Sequence, residues 1–137
     1  MSSDDLVETL NAHPPAVIRT LKGRVVAYAA ERHELRMGFD IGLEFCHTVD
    51  IVQGGFITAW LDAAMAHAVI HASGHKQTVF SLEIKVSFYE KVGPGEGWVE
   101  GRVIRRGKRV AFLEAALYNP AGTLAAEATS TGLLADV

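Results

Sequence analysis

The sequence predicts an α+β domain in which an antiparallel sheet curls around one long buried helix, and three observations carry that prediction. Residues 54–74, GGFITAWLDAAMAHAVIHASG, open on two glycines, close on Ser-Gly and are rich in alanine, which suits a helix far better than a strand. Nearly every residue from Phe56 to Ala72 is apolar or small, so this helix must be buried on most of its faces. After it the period changes to two. Phe80, Leu82, Ile84, Val86 and Phe88 alternate with Ser81, Glu83, Lys85 and Ser87, which predicts a long half-buried strand with those five apolar residues on its inner face.

Each remaining element has a local reason. Ser2 or Ser3 followed by Asp4 and Asp5 starts a short helix whose apolar face is Leu6, Val7 and Leu10, and the prolines of HPP end it. Residues 1–21 thus read as a helical appendage and 22–137 as the domain proper. RVVAYAAE and LRMGFDIG are rich in strand formers and meet at ERHE, a hairpin. Beyond the long strand, GPGEG makes a turn, WVEGRVIRR a strand and Gly107 a tight hairpin. RVAFLEAALY, the turn NPAG and TLAAEATSTGLL complete a meander of four strands.

Composition narrows the function. A chain of 137 residues, 49% hydrophobic, supports one domain with a real core and not two. A formal charge of -3 gives no general attraction to nucleic acid or to anionic membrane. Cys46 is the only cysteine, so neither an internal disulfide nor a cysteine-based zinc cluster can form. The acidic start MSSDDLVETL lacks the charged-then-apolar order of a secretory signal, and the apolar run 56–72 is short for a bilayer and carries Asp62, His67 and His71. A cytoplasmic protein with no membrane partner is expected.

Asp62 is the residue that most needs explaining. Burying an ionised carboxylate without a partner costs several kcal/mol or more, and no Lys or Arg lies between Ile41 and Lys76 to pair with it locally. Either it sits on a narrow exposed stripe or against a hydroxyl, or it is used as a base or nucleophile. Gly54 and Gly55 favour use: a helix N-terminus presents unpaired N–H groups, and glycine lets a ligand approach them. Eight helical residues at ~1.5 Å rise separate Gly54 from Asp62 by ~12 Å, too far for both to touch one carbonyl, so cooperation between them requires two chains.

Other candidates are weaker. His67, His71 and His75 recur at helical spacing, but Gly74 ends the helix before His75 and no carboxylate or cysteine completes a set, so no metal is expected. Trp60 faces away from Asp62 and reads as core or interface. Arg105, Arg106, Lys108 and Arg109 surround the hairpin Gly107. They form either a solvated tip or a contact for phosphates, and the cluster is too small for nucleic acid.

HTVDIVQGGFITAWLDAA, FSLEIKVSFYEKV and EGRVIRRGKRVAFLEAALYNPAGTLAAEATSTGLL together resemble the hot-dog-fold acyl-CoA thioesterases of the phenylacetic-acid-degradation type, over roughly residues 22–134. In that family two glycines precede an Asp or Glu placed eight residues after the first, a spacing that Gly54 and Asp62 match. The resemblance implies that the Gly54 N–H polarises a thioester carbonyl and that Asp62 activates water or attacks directly. It implies a water-assisting Ser81, a homodimer with shared sites, and no cofactor beyond the coenzyme A of the acyl-CoA substrate; whether such dimers pair further into a tetramer, as a dimer of dimers, is left open. Two positions depart from the family pattern. His47 stands where an Asn or Gln is usual, and Gln53 where the His before the glycines is usual; imidazole and amide can both still donate. Two rivals are expected to compete: a hot-dog enoyl-CoA hydratase or dehydratase, whose His-Phe-Pro segment is missing, and a non-catalytic acyl-CoA binding module.

Overall fold

The structure is a computed structural model and describes residues 2–137; the side chains of residues 3 and 6 are not described, so the expected role of Leu6 lies outside it. Helix α1 (Ser3–Ala12) begins as expected. The Ser2 hydroxyl accepts from the Asp5 N–H while the Asp5 carboxylate accepts from the Ser2 N–H, a reciprocal capping box. Past the two prolines a single further turn, α2 (Ala16–Thr20), delivers Ile18 and Leu21 into the common core.

Strands β1 (Gly23–Ala29) and β2 (Glu34–Ile41) form the expected antiparallel hairpin, closed by a 3-10 turn and by His33 in the left-handed region at φ 48. A hairpin of two-residue strands, β3 (Cys46–His47) and β4 (Ile51–Val52), leads directly into α3 (Gly54–Ala72). Then follow β5 (Gln77–Phe88), β6 (Gly95–Arg106), β7 (Val110–Tyr118) and β8 (Leu124–Asp136). The main sheet runs β1-β2-β6-β7-β8-β5, and every neighbouring pair is antiparallel; the expected four-strand meander is thus three strands, β6-β7-β8, with β5 added beyond β8 and β6 paired instead with β2.

Helix α3 lies against this sheet with Trp60, Leu61, Ala64, Met65 and Ala68 fully enclosed. Burial of each large side chain contributes about 1.5–3 kcal/mol. Trp60 belongs to the core: it packs on Phe39 and Phe45, and its indole N–H donates to the Leu21 carbonyl at 3.2 Å. The helix approaches the sheet closely at Gly101 of β6, where a Cβ would stand within 2.4 Å of the Ala64 carbonyl oxygen. Backbone on both sides leaves nothing flexible to move. Gly101→Ala is therefore expected to destabilise the fold by ~3 kcal/mol, read as a lower midpoint in urea unfolding.

The inner face of β5 differs from the expectation. A bulge shifts the register between Ser81 and Glu83 against β8, so the period-two pattern changes phase there. Val79 and Ser81 face the helix ahead of the bulge, and Ile84 and Val86 are partly buried after it. Phe80, Leu82 and Phe88, expected inside, remain 61%, 60% and 53% exposed.

The two sheet edges are treated differently. At β1 the Asn11 side chain stands in for a missing strand, donating to the Val25 carbonyl and accepting from the Val25 N–H, both at 2.8 Å. At β5 the edge is open and carries exposed Phe80, Leu82 and Phe88. An open, apolar edge strand is a template for a second chain.

Candidate active site

The bulge in β5 aims Ser81 at α3. Its hydroxyl donates to Asp62 Oδ1 at 2.7 Å, so two residues chosen separately from the sequence meet in the fold. Asp62 is half-buried, with no Lys or Arg paired to it among the described residues. One carboxylate oxygen is held by the serine, while the group as a whole keeps contact with solvent.

At the other end of the site, Gly54 is the first residue of α3 and Gln53 its N-cap. The Gln53 side-chain oxygen accepts from the Gly55 N–H at 2.8 Å, so that donor is occupied by the protein itself. A Cβ on Gly55 would meet the same oxygen at 2.7 Å, which explains the second glycine as the residue that lets the cap form. No protein group among the described residues accepts the Gly54 N–H. That donor points from the positive end of a helix of 19 residues. Beside it a groove of ≈ 500 Å³ is bounded by Ile51, Ile57, Phe88 and Val92.

His47 is exposed on β3 and its Nδ1 lies 2.9 Å from the Thr48 hydroxyl. The turn that follows is strained, with Thr48 at φ 43 and Val49 at φ 68 and 85% exposed. A β-branched residue in the left-handed region is an outlier of the kind that collects at functional sites. The basic cluster lies elsewhere. Arg105, Arg106, Lys108 and Arg109 are exposed at the β6–β7 hairpin, and Arg106 donates to Gln77 Oε1 at 2.8 Å, just beyond the C-terminus of α3. Eighteen helical residues, ~27 Å, separate that end from Gly54.

The three histidines do not converge. His67 Nδ1 bonds the Ala63 carbonyl, His71 packs tilted against Tyr28 with ring centroids 4.3 Å apart, and His75 lies past the helix end at φ 66. No group of three His, Cys, Asp or Glu side chains gathers among the described residues. His71 is buried with both ring nitrogens unpartnered, and burial, with lesser contributions from His75 and His67, pushes its pKa from 6.5 down to about 4. The unfolded chain takes up that proton near 6.5 and the folded chain does not, so stability is full above 6.5 and falls as the pH drops toward 4. The loss is on the order of 2 kcal/mol. Urea titrations at pH 7 and pH 5 are expected to show it, and His71→Leu to flatten the difference.

Sequence reasoning passed over three features at this site: the bulge, the bond by which Gln53 occupies Gly55, and a cleft between α2 and α3 that reaches Asp62. A glutamine immediately before two glycines was the available signal for the second. The first and third depend on register and on a five-residue helix, which carry no periodic signal.

A family model for the thioesterase superfamily matches residues 50–126, which contain Gly54, Asp62 and Ser81. A phenylacetic acid degradation-related protein from Ralstonia eutropha JMP134 is 30% identical over 88% of this chain and 91% of its own, with a TM-score of 0.82. The chain belongs to the thioesterase superfamily, and its six-stranded antiparallel sheet on a long central helix is the hot-dog fold. A thioesterase from Haemophilus influenzae, 13% identical over 99% of this chain and 92% of its own, shares the fold at a TM-score of 0.82. So does a Streptococcus mutans UA159 protein solved with acetyl-CoA bound, 14% identical over 82% of this chain and 87% of its own, at a TM-score of 0.71. Among curated proteins none matches the chain. No helix among the described residues is long and apolar enough to cross a membrane.

Proposed function

We propose that the protein hydrolyses acyl-CoA thioesters, with small, medium-chain or aromatic acyl groups as substrates. The observation that carries this reading is the Ser81–Asp62 hydrogen bond on the central helix of a thioesterase-superfamily fold. Asp62 takes a proton from water while that water attacks the thioester carbonyl; the Gly54 N–H and the helix dipole stabilise the oxyanion. Collapse of the intermediate breaks the C–S bond, and the departing thiolate receives the proton from Asp62, leaving free acid and coenzyme A. Ser81 fixes one carboxylate oxygen and can accept from the attacking water, which favours water activation over direct attack by Asp62 through an anhydride. His47 or Gln53 supplies a second polar contact at the N-terminus of α3.

The site is built by two chains. The open β5 edge, with its exposed apolar side chains, pairs with the β5 of a second copy, whereas Asn11 closes the β1 edge against such pairing. A two-fold axis at β5 sets the two α3 helices antiparallel, because α3 runs alongside β5 in the opposite direction, with Asp62 at Ser81 and Gly54 beside Phe88, and brings the Gly54 of one chain toward the Asp62 of the other. Further pairing of dimers into a tetramer is compatible with this arrangement.

Thiol release from a panel of saturated acyl-CoAs tests the reading. Hydration of an enoyl-CoA without thiol release would replace it with a hydratase, and tight binding without turnover with a binding module. Arg105→Ala with Arg106→Ala is expected to raise KM for acyl-CoA about tenfold while changing KM little for an acyl thioester lacking the nucleotide, because contacts to phosphate supply mainly binding. Equal effects on both substrates would confine the cluster to a solvated hairpin tip.

A further inference from the structure

The segment before β1 has a place in this chemistry. A cleft of ≈ 270 Å³ runs along α3 beneath α2, walled by Ile18 and Leu21 on one side and by Ala59, Ala63 and Ala66 on the other. Asp62 lies on its rim, and its other polar lining residues are His67 and Thr78. The volume falls just below the range of ~300–1,000 Å³ usual for drug-sized ligands, which leaves room for a short acyl group and not for a long fatty chain.

His67 is the polar feature of this apolar cleft that is itself buried. It is only 6% exposed, yet it lines the cavity. Its Nδ1 lies 2.9 Å from the Ala63 carbonyl oxygen. A carbonyl only accepts, so Nδ1 must carry the proton and Nε2 is left as an acceptor. No group among the described residues donates to Nε2. Nε2 is not sealed inside the protein, since it is not among the buried polar atoms that lack a partner; it opens onto the cleft, where a donor carried by a ligand can take the place of water.

We propose that this cleft is the acyl pocket and that His67 Nε2 selects an acyl group ending in a hydroxyl. The proposal rests on the thioesterase reading above and assigns the substrate class of the same site. Five helical residues separate Asp62 from His67, an axial distance of ~7.5 Å. An extended chain of about six carbons, its carbonyl at Asp62, spans that distance and delivers a terminal hydroxyl to Nε2. The wall that limits the acyl group comes from α2, which makes the segment preceding the sheet part of the substrate site.

The test compares 6-hydroxyhexanoyl-CoA with heptanoyl-CoA, which has the same number of heavy acyl atoms and no donor. Wild-type protein is expected to favour the hydroxylated substrate about tenfold in kcat/KM. In His67→Phe the ratio should fall to one or below; being a ratio within one sample, it does not depend on how much of the variant folds. Ala63→Leu fills the cleft and should lower the heptanoyl-to-acetyl ratio of kcat/KM by about tenfold. Equal use of the two size-matched substrates by wild type, persistence of the preference in His67→Phe, or an unchanged ratio in Ala63→Leu would overturn the assignment while leaving hydrolysis intact. Absence of thiol release from every acyl-CoA would overturn the thioesterase reading itself, and the two failures are therefore distinct.

Discussion

Asp62→Asn is expected to lower kcat by about a thousandfold with little change in KM, because an amide cannot take the proton of the attacking water or act as a nucleophile. The substitution is nearly isosteric, and the asparagine carbonyl can still accept from the Ser81 hydroxyl, which stands 2.7 Å from the native carboxylate. Melting should therefore stay close to wild type, within about 0.5 kcal/mol, so a dead enzyme cannot be blamed on an unfolded one. Turnover near the wild-type rate would make the Asp62–Ser81 bond a structural contact and nothing more.

The second large effect is expected at the other end of the helix. Gly54→Pro removes the one N–H of the first turn that the mechanism uses, and loss of a single oxyanion donor costs about a hundred- to a thousandfold in kcat. The backbone accepts the change. Gly54 is the first helical position, where proline is favoured, and Gln53 before it sits at φ -68 and ψ 136, the conformation a residue before proline requires. Gly54→Ala provides the control. It keeps the donor, its Cβ meets only the Phe88 ring at 3.4 Å, and its loss should be far smaller. If alanine and proline were equally damaging, crowding would be the cause and the N–H would have no catalytic part.

Much of this was legible in the sequence, because long periodic elements leave long signals. The nineteen residues of α3 and the four strands after it follow from alanine content, alternation and turn residues. The inner face of β5 was misread for a physical reason. A bulge adds one residue to one strand of a pair, and the alternation of Phe80, Leu82 and Ile84 reads the same whether or not the chain is bulged at Leu82. That one irregularity turns Ser81 inward to Asp62 and leaves Phe80 and Leu82 outside, so it bears on both catalysis and assembly. The two-residue strands β3 and β4 and the single turn α2 were too short to show a period. Gly101 looked like any strand glycine, since its closeness to Ala64 belongs to packing between elements distant in sequence. Gly54 and Asp62 stood out for the opposite reason: a glycine pair and a lone carboxylate break the pattern around them.

The central claim is that one catalytic site takes its Gly54 from one chain and its Asp62 from another, and mixed dimers test it most directly. Gly54→Pro and Asp62→Asn are each expected to be inactive alone. When the two are refolded together at equal amounts, half the dimers are mixed by random assortment. In each mixed dimer one site combines the Gly54 of the Asp62→Asn chain with the Asp62 of the Gly54→Pro chain, while the other site lacks both. Half of the sites in half of the dimers are then whole, and about a quarter of wild-type activity should return. A mixture as inactive as its components, with mixed dimers demonstrated and both chains folded, would contradict the shared site.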